Sequence, residues 1–117
     1  MVDLNALMIK FLKVLSDPIR LKIIDYLKNN PSSASKIQKE LDLSQSYTSH
    51  QLKKLTSIDI LEHERLGKMK TFSIKNNDIF KLISIIKSYI LHIEKEKYQK
   101  IQSFDESSLM TNFEELF

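Results

Sequence analysis

The 117-residue sequence has no cysteine, a single glycine and two prolines. Without cysteine, disulfides and thiolate metal sites are excluded. So few helix breakers favour a mostly helical chain and make Gly67 a marker for a turn. No apolar run reaches the roughly 18 residues that span a bilayer. The first residues include an early acid and no basic stretch of a signal peptide, so we expect one cytoplasmic domain without membrane contact.

The charge is unevenly distributed along the chain. The formal net charge is only +3, but all 18 Lys and Arg residues lie within residues 1–100, together with 11 of the 15 acids. The last 17 residues hold the other four acids and no base. A basic body of this kind indicates a polyanionic partner, although a solvated lysine surface explains the same charge.

The first half of the chain reads as four helices. Apolar residues at steps of three and four predict an amphipathic helix over residues 4–15. Asp17, directly before a proline, is placed to cap a second helix. Ser33 is placed to cap a short third helix. Ser44 is placed to cap a fourth helix over residues 45–57, after a tight connection that makes the two helices a helix-turn-helix.

The second half changes pattern. Short runs rich in β-branched and aromatic residues, 60–66 and 68–74, meet at Gly67 and predict a β-hairpin. A long last helix follows from Asp78 to about Ile101. The sequence therefore predicts a mostly α winged helix-turn-helix fold with a small β-hairpin. The predicted DNA-binding and dimerisation domain covers residues 1–102, and residues 103–117 form an acidic C-terminal tail that has room for a short helix near residues 113–117.

The fourth helix separates polar from apolar residues and contains no acid on its polar side. A helix that enters the major groove of DNA has to keep carboxylates away from phosphates, whereas a helix that meets only solvent normally includes some. The alternative is a plain polar solvent face. The DNA-binding set that we predict from this helix and its cap is Ser44, Gln45, Ser46, Ser49, His50, Gln51, Lys53 and Lys54.

Position along the helix assigns the roles within this set. Gln45 and Ser46 lie in the first turn, where free N–H groups and the helix dipole attract a phosphate. Ser49 and His50 lie further along and are placed to reach base edges, with Gln51 beside them. The two lysines are placed for phosphates.

The tip of the predicted hairpin is basic. Arg65, Lys68 and Lys70 surround a turn whose glycine permits positive φ. Directly after a helix-turn-helix, such a hairpin is typical of a wing that contacts the DNA backbone. The alternative is an ordinary basic turn.

The first and last helices carry more apolar residues than one core-facing stripe requires. A self-complementary pairing of both helices across a two-fold axis buries the surplus, and a larger monomer core is the alternative. Such a homodimer sets two recognition helices about one DNA turn apart, roughly 34–36 Å. The dimerisation residues predicted on this ground are Leu4, Leu7, Met8, Phe11, Ile83, Ile86, Tyr89, Ile90 and Ile93.

Residues from about 11 to 90 resemble the ArsR/SmtB-type repressors, the arsenical-resistance family. The similar pieces are residues 11–21 (FLKVLSDPIRL), residues 43–52 (LSQSYTSHQL) and the basic wing, residues 65–70. The resemblance implies a homodimer on a palindromic double-stranded operator that leaves DNA when an inducer binds. This sequence departs from the family at residues 57–61, where the usual glycine turn is replaced by Ser-Ile-Asp-Ile-Leu.

The metal sites of that family are absent from the sequence. The cysteine pair of the third-helix site is missing, since there is no cysteine. The last-helix motif D-x-H-x10-H-x2-E, laid on Asp78, falls on Phe80, Leu91 and Glu94, so both histidines are lost, and His92 lies one residue off. His92, Glu94 and Glu96 can form a weak cation site, but a solvated helix end is the preferred explanation for them. We therefore expect no metal, no cofactor and an unknown inducer.

Two other functions remain to be weighed. The acidic tail favours a winged-helix module for protein–protein interaction, in which the tail shields the basic face and DNA binding is reduced. An enzyme is disfavoured because His50, His63 and His92 are scattered and no phosphate-binding glycine loop exists. The leading prediction is a homodimeric, sequence-specific DNA-binding transcription regulator that acts as a repressor.

Overall fold

The architecture was taken from a computed structural model, which describes residues 1–103 in full and assigns helix as far as Leu116. Side chains from residue 104 onward, and with them the acids of the predicted tail, lie outside the described residues. The chain divides into two compact units, Met1–Asn77 and Asp78–Phe117.

The first unit contains four helices and three short strands, and the second is one helix. In chain order these are α1 (Leu4–Leu15), α2 (Pro18–Tyr26), β1 (Ser32–Ser33), α3 (Ala34–Glu40), α4 (Gln45–Ser57), β2 (Leu61–Leu66), β3 (Met69–Ile74) and α5 (Asp78–Leu116). The predicted winged helix-turn-helix fold is confirmed, and every predicted element is present in the predicted order.

The three predicted helix caps are confirmed. In each, a side-chain oxygen accepts a hydrogen bond from the backbone N–H three residues further on, which satisfies a donor that the helix itself leaves free. The pairs are Arg20 N–H with Asp17 at 2.9 Å, Lys36 N–H with Ser33 at 3.2 Å and Tyr47 N–H with Ser44 at 3.3 Å. The starts of α2, α3 and α4 are therefore set by local sequence.

Both helices of the helix-turn-helix are followed, directly after the C-cap residue, by an aspartate in the left-handed conformation. Asp42 has φ 53° and Asp59 has φ 61°. In each case the next N–H reaches back five residues, from Leu43 to Gln38 O at 2.9 Å and from Ile60 to Leu55 O at 3.1 Å. Glycine is common at such helix ends, but aspartate also tolerates this conformation. Asp59 therefore makes the turn for which the resembling family uses glycine.

The sheet has a strand that the sequence analysis missed. The antiparallel order is β1-β3-β2, with Ser32 opposite Phe72 and Ser33 opposite Thr71. A strand of two residues has no alternating pattern to detect, so only the pairing with β3 defines it. The hairpin itself is as predicted, with Gly67 at φ 64° in a two-residue turn between Leu66 and Met69.

The hydrophobic core of the first unit is built from both helices of the helix-turn-helix, from α2 and from the sheet. Each fully buried leucine or isoleucine contributes about 1.5–3 kcal/mol relative to exposure. The fully buried residues are Ile23, Ile24, Leu27, Ile37, Thr48, Leu52, Leu55 and Leu61. Because three of them lie on α4, this helix is held firmly by one side.

The last helix is longer than predicted. It is assigned to Leu116, whereas the apolar pattern indicated an end near Ile101. Residues 78–116 contain neither glycine nor proline, so nothing in the sequence forces a stop where the apolar period fades. Within the described part of the chain, no helix has the length and apolarity needed to cross a membrane.

Candidate nucleic-acid interface

Two hydroxyl side chains, those of Ser44 and Thr48, stabilise the start of α4. The Ser44 hydroxyl caps the helix, and the Thr48 hydroxyl donates a 2.8 Å hydrogen bond to the backbone oxygen of Ser44. Thr48, Leu52 and Leu55 lie on one side, each at most 1% exposed. Because that side is buried, the opposite side of α4 has to face outward.

The outward side is the one that the sequence analysis assigned to DNA. We call the residues Gln45, Ser46, Ser49, His50 and Lys53 the polar face of α4. All five are exposed, as are the Ser44 cap and Lys54. None of the 13 residues of α4 is acidic. The structure therefore presents a carboxylate-free surface on α4.

Gln51 does not lie on this surface, and its prediction as a DNA-contacting residue is corrected. Its side chain is 3% exposed, and its Oε1 accepts a 2.7 Å hydrogen bond from Arg20 Nη1. Arg20 also donates to the backbone oxygens of Val14 and Lys13 at the end of α1. A buried polar side chain is stable when its hydrogen bonds are met, and Gln51 is therefore a structural partner of Arg20.

The hairpin separates charges onto two faces. Directly opposite pairs are Arg65 with Lys70 and His63 with Phe72, and these lie on one face. Glu62 and Glu64 lie on the other, because successive side chains alternate. Arg65, Lys68 and Lys70 are all exposed. The basic tip predicted for the wing is therefore present on an exposed hairpin.

One residue that sequence reasoning set aside, His63, lies near this basic cluster. Its ring meets the edge of Phe72 at 5.7 Å between centroids, and Lys70 Nζ lies 5.5 Å from the centroid of the same ring. His63 also lines a groove with Ser49 and Lys53 of α4. The register of the hairpin could have predicted this position of His63, because a residue opposite Phe72 and diagonal to Lys70 shares their face.

The turn between α4 and β2 is tied by an ion pair. Lys75 Nζ lies 2.9 Å from Asp59 Oδ1, and both side chains are exposed. The hydrogen bond with Asp59, and then the negative charge of Asp59, raise the pKa of Lys75 above its ordinary value of 10.5, with a further contribution from Glu62. Lys75 therefore stays cationic at any physiological pH.

The residues predicted for dimerisation are mostly exposed in the single chain. On α1, Leu4 is 75%, Leu7 51% and Met8 52% exposed, and Phe11 is half-buried. On α5, Ile86, Tyr89 and Ile90 are exposed, and Ile83 and Ile93 are half-buried. Each unit thus leaves apolar helix surface in water, which is costly unless a partner covers it.

The described residues contain no group of three or more His, Asp or Glu side chains placed to hold a metal ion. On α5, His92 pairs with Glu96 at 3.1 Å and Lys97 with Glu94 at 3.5 Å. All four side chains are largely exposed. These are contacts between neighbouring turns of one helix, as expected for a solvated helix surface.

Comparison of the fold with solved structures defines the class of protein. The chain is similar to Rv0081 of M. tuberculosis, with a TM-score of 0.72 and 23% identity over 83% of this chain and 98% of that one. It is also similar to the homodimeric winged helix-turn-helix DNA-binding domain Mb0332 of Mycobacterium bovis, a possible ArsR-family transcriptional regulator. For that domain the TM-score is 0.68, with 21% identity over 77% of this chain and 87% of that one. The fold is a winged helix-turn-helix.

Sequence comparison shows similarity to one family within that class. Residues 17–62, from the Asp17 cap to the start of β2, match the model of the bacterial regulatory proteins of the arsR family. The HTH-type transcriptional regulator NmtR of Mycobacterium tuberculosis is 29% identical over 84 residues, or 70% of each chain. Both comparisons agree with the resemblance that the sequence motifs indicate, and the matched family is described as one of bacterial regulatory proteins.

Proposed function

We propose that this protein is a homodimeric transcription regulator that binds a palindromic double-stranded operator in a sequence-specific manner and acts as a repressor. The observation that carries the proposal is α4. This helix is buried on one side, exposes the whole of its polar face on the other, and has no carboxylate among its 13 residues. Such a surface suits the edges of bases and the phosphates beside them.

Residues at different positions along α4 have different proposed roles: some bind phosphates and others contact base edges. Gln45 and Ser46 lie at the N-terminal end, where unpaired N–H groups and the helix dipole favour a phosphate. Ser49 and His50 lie one turn further and face the base edges. Lys53 and Lys54 contact the phosphate backbone of the DNA. Ser44 contributes through the cap that holds this end of the helix in place.

The hairpin supplies the second contact. Arg65, Lys68 and Lys70 lie at its exposed tip, and the two acids of β2 are kept on the opposite face. We assign these three cations to backbone phosphates, which fix the orientation of α4 without reading sequence.

A second copy of the chain covers the apolar helices. The exposed residues of α1 and of α5 need a partner, and the similar domain from Mycobacterium bovis is homodimeric. A two-fold dimer presents two copies of α4 about 34–36 Å apart, which matches successive major grooves and requires a palindromic site. The proposed dimer residues are the nine predicted from the sequence.

The proposed regulator works without the metal sites known in the resembling family. The sequence has no cysteine, and the last-helix motif lacks both histidines. The signal that releases DNA is therefore of a different chemical kind from a metal held by those ligands.

The decisive measurement is binding of the purified protein to the DNA upstream of its own gene, followed by fluorescence anisotropy at several salt concentrations. We expect tight binding at low salt and a linear fall of log K with log salt, because each phosphate contact releases a counterion. An unrelated duplex of equal length is the control for specificity. No binding at low salt, or no salt dependence, contradicts the proposal. A reporter under the bound promoter then tests repression, since loss of the gene should raise its expression.

A further inference from the structure

A groove of about 530 Å³ lies between α4, the hairpin and the start of α3. One wall is formed by Ser49, Leu52, Lys53 and Thr56, which share a side of α4 at steps of three and four. Clefts that hold small organic molecules measure roughly 300–1,000 Å³, so this groove has the size of a ligand site.

The inner part of the groove is apolar. Leu52 and Phe72, which are 1% and 6% exposed, form its floor, and the methyl group of Ala34 also lines it. Such a floor does not strengthen the binding of an inorganic anion, because burial of apolar surface stabilises only a ligand with an apolar body. The floor therefore favours a ligand with a ring or a short hydrocarbon chain.

The rim of the groove carries two lysines and a histidine. Lys53 comes from α4, and Lys70 and His63 come from the two strands of the hairpin. Lys70 Nζ lies above the Phe72 ring, 5.5 Å from its centroid, so the ammonium stands directly over the apolar floor. Among the described residues that line the groove there is no carboxylate, and Glu62 and Glu64 lie on the far face of the hairpin.

We infer that this groove binds a small organic anion, with the apolar body on Leu52 and Phe72 and its carboxylate or sulfonate at Lys53, Lys70 and His63. Charge-assisted hydrogen bonds to a lysine and a hydroxyl such as that of Ser49 orient the anionic end. Apolar lining with a few convergent polar groups is the usual composition of a small-molecule site.

Occupation of the groove bears on regulation, and this part rests on the proposed function. Ser49, Lys53 and Lys70 belong both to the groove and to the set proposed to contact DNA. A bound anion uses the same ammonium groups that DNA phosphates need, so the ligand and DNA exclude each other. The groove is then an effector site for a protein that lacks the metal sites of its family.

The test is a titration of the full-length protein with naphthalene-2-sulfonate, followed by ¹H–¹⁵N NMR. We expect saturable shifts of the backbone amides around Ser49, Lys53, His63 and Phe72. Inorganic phosphate and the neutral 2-naphthol are titrated separately. If either alone gives the same affinity at the same amides, the combined apolar and anionic recognition is wrong. Shifts confined to α1 and α5 mean adsorption to exposed apolar helices and also overturn the inference.

Two variants sharpen the assignment. Lys70→Gln removes one cation from the rim and should weaken the probe about tenfold, as expected for one charged hydrogen bond. Lys54→Gln is the matched control, because it removes the same charge from α4 outside the groove, and affinity should not change. Ala34→Leu places a larger side chain in the groove, and binding should be lost while the remainder of the spectrum is retained. Equal affinity of wild type, Lys70→Gln and Ala34→Leu overturns the assignment.

DNA competition is measured separately from binding. If the probe binds the groove and displaces operator DNA in proportion to its occupancy, the effector role is supported. If the probe binds the groove and DNA stays bound, the effector role is wrong although the site exists. If no DNA binds even without probe, the proposed function fails, while the NMR titration still decides the groove.

Discussion

Arg20 and Gln51, thirty-one residues apart in the chain, are joined by a buried hydrogen bond of 2.7 Å from the guanidinium Nη1 to the amide Oε1. The same guanidinium donates to backbone oxygens of Val14 and Lys13. One side chain of α2 thus connects the last turn of α1 with the buried side of α4. The orientation of α4 is therefore tied to the helix whose other residues are proposed to form the dimer.

Loss of this link should destabilise the fold. Gln51→Ala leaves one donor of a buried guanidinium without its partner, and we expect the free energy of unfolding to fall by about 2 kcal/mol. Urea unfolding followed by circular dichroism measures the change. Lys54→Ala, on the same helix but exposed, is the control and should stay within roughly 0.5 kcal/mol. An unchanged urea midpoint for Gln51→Ala would show that the hydrogen bond is not a significant contributor.

Base reading and phosphate binding should separate experimentally. His50→Ala should alter the preference among operator variants, because a base-edge contact is worth about 1–3 kcal/mol at one position. Lys68→Ala should weaken binding to all sequences alike and reduce the salt slope by about one. Anisotropy titrations on a panel of single-base operator variants test both. If wild type and His50→Ala rank the panel identically, His50 does not read bases.

The turn after α4 should tolerate only some residues at position 59. Asp59 has φ 61°, a conformation that costs a residue such as alanine about 1–2 kcal/mol and glycine little. We therefore expect Asp59→Ala to lower the thermal midpoint and Asp59→Gly to change it far less. Because both replacements lose the pair with Lys75 equally, their difference isolates the backbone conformation. Equal midpoints for the two variants would refute this explanation.

The ion pair of the same turn predicts a pH dependence. Since the pKa of Lys75 is raised above 10.5 in the folded protein, its stabilising contribution is fully present below pH 10.5 and is lost as pH rises through the raised pKa. NMR titration of the Lys75 Cε resonance should give a higher pKa in the wild type than in Asp59→Asn. Identical titrations in the two proteins would rule out the carboxylate as the cause.

The dimer proposal predicts a link between assembly and DNA binding. Leu7→Glu places a charge on the exposed apolar side of α1 and should shift the protein to monomer in sedimentation equilibrium, because burying an unpaired charge is costly. Operator affinity should fall with it, since one α4 then binds a single half-site. Asn5→Glu adds the same charge on α1 outside the predicted set and should remain dimeric. A monomeric wild type would contradict the proposal at once.

Most elements were predictable because their signals are local. The caps Asp17, Ser33 and Ser44 each act within three residues, and the hairpin depends on Gly67 and the pattern beside it. The carboxylate-free α4 is visible in the sequence itself. The features that were not predicted depend on partners distant in sequence. The two-residue β1, for example, exists only through pairing with β3.

Gln51 shows the difference between what local sequence predicts and what tertiary contacts decide. It was predicted to flank the polar face because it follows His50 and glutamine is usually exposed, although its spacing from Thr48 and Leu55 already places it beside the buried side of α4. Its burial is decided by Arg20, because a polar side chain can leave water only where a partner replaces the lost hydrogen bonds. The sequence by itself determined the helices, the hairpin, their order and the chemistry of α4, since these follow from local periodicity, capping and turn residues. Only the tertiary structure decided which side chains share the groove with His63 and which, like Gln51, are withdrawn from the surface.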